Sequence, residues 1–426
     1  MNRRDFGRLV ALAGSAAILP GSRLAFGGVR DGRPLRATPD NPGEAFWSEV
    51  RSKFLVPRDV NFLNAANLCP TSLPAIEALD KNIRVYEASP SPEVRSGLMA
   101  KGREASRVLL AEALRVTPEE IVITRNTTEG NNVVSSGLDL KAGDEVVVWA
   151  DNHPSNLNAW RVKAARFGFT VVSVDVPPSH PGVEGYLALF TKAFTARTRL
   201  VAVTHISSNS GDLLPVAEIC AAARARGILS LVDGAQAFGV LDLDLGAMKP
   251  DFYTGSMHKW PCGPKEKGLL YVNKAVHDRI HPSVVGVYPG AVGISRTLET
   301  HGQRDDASVA AVTDALKFQE SIGRAAIEAR SRQLAQALMD GLRKLNGVKL
   351  WTDRAPVRSA AIVIFQPGSL DVRKLGAALT QNEKIVCTTR TGDHNPGVRF
   401  APHFYNTMEE MDRAVGAIRK YIASGV

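Results

Sequence analysis

The chain has few of the features that would assign it to a specialised class of protein. Among its 426 residues no pair of cysteines has the C-x-x-C spacing, and no low-complexity tract or solenoid repeat is present. Zinc binding is therefore not expected, and neither is a disordered or repeat protein. A disulfide between two of the cysteines is possible only if the protein works outside the cytoplasm. The four cysteines are Cys69, Cys220, Cys262 and Cys387.

The body of the chain also lacks a run of basic residues, although the formal net charge is +9. Residues 1–36 contain seven arginines and two aspartates, so more than half of that charge belongs to the N-terminal segment. The rest is spread thinly over the remaining chain. A nucleic-acid partner or an anionic membrane partner is therefore not expected.

The N-terminal segment has the pattern of an export signal. Arg3 and Arg4 precede Phe6, and a short apolar stretch follows over residues 9–20. This stretch is too short for a membrane span, and the paired arginines resemble the twin-arginine signal, whose machinery exports folded proteins. We expect a signal peptide over residues 1–28 and a periplasmic or secreted protein. An uncleaved amphipathic segment or a disordered tail is the alternative.

The mature part of the chain reads as an α/β fold. Short apolar runs bounded by turn residues are typical of strands buried on both faces of a mainly parallel sheet. Such runs occupy residues 120–124, 145–149, 200–204 and 228–232. A helical region at 308–345 and further short strands follow. The pattern predicts an N-terminal segment (29–60), a large mainly parallel-sheet domain (61–300) and a smaller α+β domain (301–426).

Polar or ionisable residues follow five successive predicted strands. In an open parallel sheet, ligands bind beyond the carboxyl ends of the strands, so these residues are expected to share one crevice. The five segments are 126–130, 151–156, 205–211, 233–236 and 255–259.

These segments contain the groups that a phosphorylated pyridine cofactor requires. Such a cofactor needs an amine for covalent attachment, a carboxylate for its ring nitrogen, a flat group over its ring and donors for its phosphate. Lys259, Asp233 and His153 could fill the first three roles, and the helix start at Thr127 and Thr128 could bind the phosphate.

Three further residues could complete this site. Ser256 and His258 flank the lysine as phosphate donors, and Gln236 could reach the phenolic oxygen of the ring. Each residue has a simpler alternative: a solvated lysine, an aspartate in an Asp-Gly turn or a plain helix cap. Their joint order favours the cofactor site.

At this point the chain resembles a known family. Asp233 to Gln236 (Asp-Gly-Ala-Gln) and Ser256 to Lys259 (Ser-x-His-Lys) resemble the fold-type I enzymes of aminotransferase class V, which use pyridoxal 5′-phosphate (PLP). The resemblance is strongest to the isopenicillin-N-epimerase-like branch and extends over residues 61–407.

The resemblance implies a role for each of these residues. Lys259 would bind PLP covalently, and Asp233 would hold the proton on its pyridine nitrogen. His153 would stack on the ring. Thr128, Ser256 and His258 would surround the phosphate. It also implies a homodimer in which both subunits contribute to each site.

The C-terminal segment 398–407 resembles the family motif whose arginine binds the substrate carboxylate. That residue is Arg399 here, with an internal ion pair as the alternative role. Arg390 is a hypothetical ligand for a second carboxylate. His403 is a predicted substrate contact, and His403 and His258 are candidate second acids, although either could be structural.

The sequence departs from the family at three places. Asn395 stands where cysteine desulfurases carry their catalytic cysteine, and Cys387 is assigned to the core, so desulfurase activity is not expected. Ser208 replaces the common asparagine near the substrate carboxylate. Gln303 replaces a threonine that reaches the neighbouring subunit's phosphate.

The reaction itself stays open among several types. We expect a PLP enzyme that acts at Cα of an amino acid, or of an amino-acid residue in a secreted metabolite, as an aminotransferase or an epimerase. A PLP-dependent lyase is the alternative within the same chemistry. A non-catalytic binding protein that retains the fold is the alternative from another class.

Overall fold

A seven-stranded sheet forms the centre of the protein. The structure is a computed structural model, and it describes residue 35 and residues 37–88, 91–392 and 394–426. The predicted signal peptide at 1–28 lies outside the described residues. The strand order is β2-β8-β7-β6-β5-β3-β4. The strands are β2 (Ile121–Thr124), β3 (Glu145–Trp149), β4 (Thr170–Val174), β5 (Thr198–Thr204), β6 (Leu229–Asp233), β7 (Phe252–Ser256) and β8 (Gly268–Val272).

The central sheet is mainly parallel, as predicted. Strands β4, β3, β5, β6 and β7 pair in parallel, whereas β8 runs antiparallel to both β7 and β2. Two antiparallel pairings restore the common direction, so β2 ends at the same edge as β3, β5, β6 and β7. Both faces of the sheet are buried: Val146 and Val148 pack in one apolar cluster, while Val147 and Trp149 pack in another.

Helices pack on both faces of this sheet, and further helices lie in the C-terminal part of the chain. They are α1 (Glu44–Ser52), α2 (Leu73–Ala88), α3 (Pro92–Leu114), α4 (Thr127–Gly137), α5 (Pro154–Phe167), α6 (Gly182–Ala193), α7 (Val216–Arg224), α8 (Leu245–Met248), α9 (Ser295–Leu298), α10 (Asp306–Ala310), α11 (Val312–Ile322), α12 (Arg324–Arg343), α13 (Val372–Gln381) and α14 (Met408–Ser424). Among the helices of the described part of the chain, none combines the length and the apolarity of a membrane span.

A smaller antiparallel sheet with its own apolar core lies in the C-terminal part. Its four strands have the order β12-β13-β10-β9, and a separate parallel pair joins β1 to β11. Helices α12, α13 and α14 supply apolar side chains to this second core. The strands are β1 (Asn61–Phe62), β9 (Val348–Leu350), β10 (Val363–Pro367), β11 (Ile385–Val386), β12 (Thr388–Arg390) and β13 (Gly397–Phe400).

The long helical region predicted at 308–345 is three helices. Gly323 separates α11 from α12 with φ of +90°, a left-handed value that favours glycine. Val312 and Leu316 of α11 pack in the core of the large sheet, not in that of the small one. The predicted domain boundary at residue 300 stays a prediction.

Candidate active site

The five predicted site segments meet at one edge of the central sheet. Each follows the carboxyl end of β2, β3, β5, β6 or β7, and these five strands run in one direction. The loops therefore converge on the crevice where parallel sheets bind ligands.

Asp233 is the last residue of β6 and is buried at this edge. Its Oδ2 accepts hydrogen bonds from the side-chain amides of Asn131 at 2.9 Å and Asn156 at 3.3 Å, and its Oδ1 accepts from the Ala235 N–H at 3.1 Å. An ionised carboxylate only accepts hydrogen bonds, so this environment suits a charged Asp233.

Gly234 follows this aspartate for a steric reason. A Cβ atom at position 234 would lie 2.1 Å from the ring of Tyr253. Tyr253 is fixed in place because its hydroxyl lies 3.2 Å from Nδ1 of His205. Asp233-Gly234 is therefore a strand end packed against a buried tyrosine, not a surface turn.

Lys259 follows β7 and is partly buried. Burial lowers the pKa of its amine to about 8, Asp233 opposes this shift, and the positive charge of Arg399 adds to it. These interactions place the amine in the electrostatic field of both residues. A lysine with a lowered pKa is more often neutral and therefore more nucleophilic.

The candidate phosphate site joins the start of α4 to the end of β7. The Thr127 N–H donates to Ser256 Oγ at 2.9 Å, and the two hydroxyl oxygens lie 2.7 Å apart. Thr128 is exposed on the first turn of the helix, and a helix N-terminus favours an anion. The N–H groups of Thr127 and Glu129 already donate to the side chains of Ser256 and Asn126. His258 is partly exposed, and burial lowers its pKa to about 4.

His153 directly precedes α5 and is exposed to solvent. Its Nδ1 accepts a hydrogen bond from the Ser155 N–H at 3.2 Å, which fixes the ring. Desolvation and then the charge of Lys259 lower the pKa of His153, whereas Asp233 raises it. The structure thus places His153, Lys259 and Asp233 within electrostatic reach of one another.

For three further predicted site residues, the contacts and exposures do not test the predicted roles. These residues are Gln236, Ser208 and Gln303. Gln236 is buried, donates to the Ala66 carbonyl at 2.9 Å and accepts from the Trp260 indole at 2.9 Å. Ser208 is partly exposed. Gln303 is exposed between α9 and α10. Their predicted roles stay predictions.

Two arginines bring unpaired positive charge to the site. Arg399 lies in β13 and donates to the Ser208 carbonyl at 3.3 Å and to Thr388 Oγ1 at 3.4 Å. Its Nε and that of Arg390 are buried without a hydrogen-bond partner in the described part of the chain. Burial, and then the charge of Arg390, lower the pKa of Arg399 to about 10. Two guanidinium groups with unused donors form a candidate anion site.

His403 is fully buried away from solvent. Its Nε2 lies 2.7 Å from the Trp260 carbonyl, and its Nδ1 lies 3.0 Å from Ser331 Oγ. Burial lowers its pKa to about 3. Both ring nitrogens thus contact protein atoms, and this geometry favours the structural alternative for His403.

An asparagine, Asn395, occupies the position where cysteine desulfurases have their catalytic cysteine. Asn395 donates to the Asn209 carbonyl at 3.0 Å. Cys387 lies between β11 and β12, partly buried against the second core, and burial raises its pKa to about 12. A thiol with such a pKa is not a thiolate nucleophile at neutral pH. The described residues contain no group of three or more histidines, cysteines or carboxylates arranged around a metal ion.

Sequence reasoning missed the residues that hold Asp233. Asn131 and Asn156 are both fully buried; Asn131 was not predicted, and Asn156 was included only as the last residue of the predicted segment 151–156, without a role. A signal was present, because each asparagine lies within one helical turn of a predicted site residue, Thr127 or His153. Side chains three or four positions apart share one helix face.

This fold and site define a PLP-dependent α/β enzyme. The residues fit the cofactor, since a lysine of lowered pKa, a clamped carboxylate and a helix start with a serine hydroxyl lie at one sheet edge. Solved structures agree with the fold. The cystine C-S lyase C-DES, in complex with cysteine persulfide, has a TM-score of 0.79 at 27% identity, covering 85% of this chain and 98% of its own. A C-DES mutant with glycine covalently linked to PLP has a TM-score of 0.80 at 26% identity, covering 87% and 98%.

Sequence comparison identifies the family. The aminotransferase class-V model matches residues 62–414, and the chain belongs to this family. Isopenicillin N epimerase of Streptomyces clavuligerus is 31% identical over 88% of this chain and 98% of its own length. A probable cysteine desulfurase of Pyrococcus abyssi is 28% identical over the same shares of the two chains. The predicted family, fold class and cofactor are confirmed.

Proposed function

We propose that this protein removes the proton at Cα of an amino acid, or of an amino-acid residue in a larger molecule, and acts as an epimerase or aminotransferase. The observation that carries the proposal is that the amine of Lys259 is under the electrostatic influence of both Asp233 and Arg399, an arginine whose Nε has no hydrogen-bond partner in the described part of the chain. A PLP-dependent lyase is the alternative chemistry for the same site.

Each residue has a defined task in this reaction. PLP supplies the electron sink when it is bound. The Lys259 amine takes the Cα proton on Nζ. Epimerisation then requires a second acid that protonates the opposite face of Cα, and His258 is the candidate for that role. Asp233 holds a proton on the ring nitrogen, since its carboxylate is buried and fixed by donors. Arg399 binds the substrate carboxylate through its free donors.

The choice of epimerase or aminotransferase rests on the comparisons. Isopenicillin N epimerases of two organisms, at 31% and 29% identity, match almost their whole length. Relatives named cysteine desulfurases also match, but Asn395 replaces the cysteine that such a reaction requires. We therefore favour epimerisation, with transamination as the second candidate because both begin with the same proton removal.

The substrate is proposed to carry a second acidic group. Arg390 has a buried Nε without a hydrogen-bond partner in the described part of the chain. Burial lowers the pKa of Arg390, and the negative charge of Asp151 opposes this shift. The Asp151 carboxylate already accepts from Ser207 and Asn209. Arg390 is thus free to bind a substrate anion.

The test is proton exchange in deuterated solvent. The holoprotein is incubated with a panel of L-amino acids and peptides, and deuterium at Cα is measured by mass spectrometry together with the visible spectrum. Exchange with inversion supports an epimerase, and conversion to an oxo acid supports an aminotransferase. Lys259→Ala should abolish exchange, whereas the exposed-lysine control Lys81→Ala should retain it. A protein that binds no PLP would refute the proposal and favour a non-catalytic binding protein.

Selectivity tests the role of Arg390. The Arg390→Ala variant should lose its preference for acidic over neutral substrates, while exchange with neutral substrates persists. An unchanged preference would exclude Arg390 as a ligand of the second acid.

Two wider proposals complete this function. The chain is exported by the twin-arginine route and works as a homodimer in the periplasm or outside the cell. The export proposal rests on the N-terminal sequence pattern, and the dimer proposal rests on the family.

A further inference from the structure

Two buried asparagines donate hydrogen bonds to the same oxygen of the Asp233 carboxylate. The side-chain amide of Asn131 in α4 donates to Oδ2 at 2.9 Å, and that of Asn156 in α5 donates to the same oxygen at 3.3 Å. Both asparagines have no exposed surface. Two separate helices therefore direct a donor to one oxygen atom.

A second residue fixes the orientation of each amide. Trp160 donates its indole N–H to Asn156 Oδ1 at 3.0 Å, and Thr254 donates its hydroxyl to Asn131 Oδ1 at 3.0 Å. An indole N–H is only a donor, so it must face the amide oxygen. The Nδ2 of Asn156 is consequently left to face Asp233. Trp160 and Thr254 are also fully buried.

The two oxygens of Asp233 are therefore not equivalent. Oδ2 has two amide donors, whereas in the described part of the chain Oδ1 has one donor, the Ala235 N–H at 3.1 Å. A carboxylate oxygen has two lone pairs, so Oδ2 is filled and Oδ1 keeps one acceptor position. A fixed carboxylate with one open position suits a partner that brings one N–H group.

We propose that Asn131 and Asn156 are positioning residues of this enzyme, which clamp Oδ2 so that Oδ1 of Asp233 is presented to the pyridine nitrogen of the cofactor. This inference rests on the proposed function, because it assigns the cofactor ring to Asp233. In this role the two residues act through Asp233.

The charged and titratable surroundings of Asp233 are few. Lys259 and His153 interact with it from the loops after β7 and β3, and Tyr253 interacts with it from β7. His205 lies behind Tyr253, within 3.2 Å of its hydroxyl. The two asparagines carry no charge, so their removal leaves this set of titratable groups unchanged.

The chain offers a matched control for each asparagine. Asn132 follows Asn131 and donates to the Thr128 carbonyl at 2.9 Å, away from Asp233. Asn158 lies on the exposed face of α5, two residues after Asn156. The four variants Asn131→Ala, Asn132→Ala, Asn156→Ala and Asn158→Ala therefore separate the clamp from the loss of an asparagine in general.

The first measurement is PLP binding to the apoprotein, followed by absorbance. We expect Asn131→Ala and Asn156→Ala to weaken binding about tenfold each, as the loss of a hydrogen bond to a charged group predicts. The two controls should bind as the wild type does. The double variant should lose less than the product of the two effects, because both amides act on one oxygen.

The second measurement is the pH titration of the visible band of the holoprotein. A less firmly protonated ring withdraws less electron density from the nitrogen that joins it to Lys259. The midpoint should therefore move to higher pH in both clamp variants, in the direction of Asp233→Asn and by a smaller amount. A purely structural role would lower the thermal stability but leave the midpoint unchanged.

Milder variants keep the test valid if an alanine variant does not fold. Thr254→Val removes one donor with little change in shape, whereas Trp160→Phe removes the other and leaves a space in the core. Both should move the midpoint in the same direction by less. Clamp variants that match their controls, or that weaken binding without a change in midpoint, would overturn the inference while the proposed function stands. A wild-type protein that fails to bind PLP would instead overturn the proposed function.

Discussion

The replacement of Lys259 by methionine should stabilise the apoprotein at neutral pH. Burial lowers the pKa of this lysine from 10.5 to about 8, so its charged form is disfavoured in the folded protein. Each pKa unit corresponds to about 1.4 kcal/mol, and the cost at pH 7 is therefore about 3 kcal/mol. Lys259→Met removes that cost.

The stabilisation should depend on pH in a defined direction. Between pH 8 and pH 10.5 the unfolded chain keeps the proton of Lys259 while the folded protein has released it. The stability of the wild type therefore rises with pH in this window. The advantage of Lys259→Met should narrow by about 2.5 kcal/mol between pH 7 and pH 10.

Urea unfolding of the two apoproteins at pH 7 and pH 10 measures this effect. Lys81 is exposed on α2, and Lys81→Met should change the free energy of unfolding equally at both pH values. If the difference between the wild type and Lys259→Met were the same at both pH values, the amine would have an ordinary pKa. The electrostatic account of the site would then be wrong.

Three further predictions concern other parts of the chain. Arg399→Lys should raise KM for the substrate about ten- to hundredfold in steady-state kinetics, because lysine cannot form a two-pronged contact with a carboxylate; an unchanged KM would contradict this role. Glu299→Ala should lower the free energy of unfolding by about 3 kcal/mol in urea titrations, because it removes the fully buried carboxylate that pairs with Arg107 and Arg304 and leaves Arg107 with Glu104 alone; a loss below 1 kcal/mol would refute this prediction. Replacement of Arg3 and Arg4 by lysine should keep the protein in the cytoplasm, as cell fractionation would show, and unaltered export would exclude the twin-arginine route.

Local sequence determined most of the fold and the chemistry of the site. Apolar runs predicted β3 at residues 145–149 without error, and predicted β6 to within one residue, because strands buried on both faces must be apolar throughout. The residues at or just after the strand ends, such as Asp233 and Lys259, were predictable because a parallel sheet brings all its carboxyl ends to one edge.

Tertiary structure alone decided the features that depend on distant contacts. The Asn131 and Asn156 amides meet at Oδ2 of Asp233 from two helices. Helical spacing relates each asparagine to a neighbouring site residue, but only the packing of the two helices brings both amides to one oxygen. The sequence predicts His403 as a candidate acid of the reaction. In the fold, however, its ring is enclosed by Trp260 and neighbouring aromatic residues. The sequence thus determined which chemical groups reach the site. Burial and hydrogen bonding between distant segments decided which of them are held, which are charged and which are free to react.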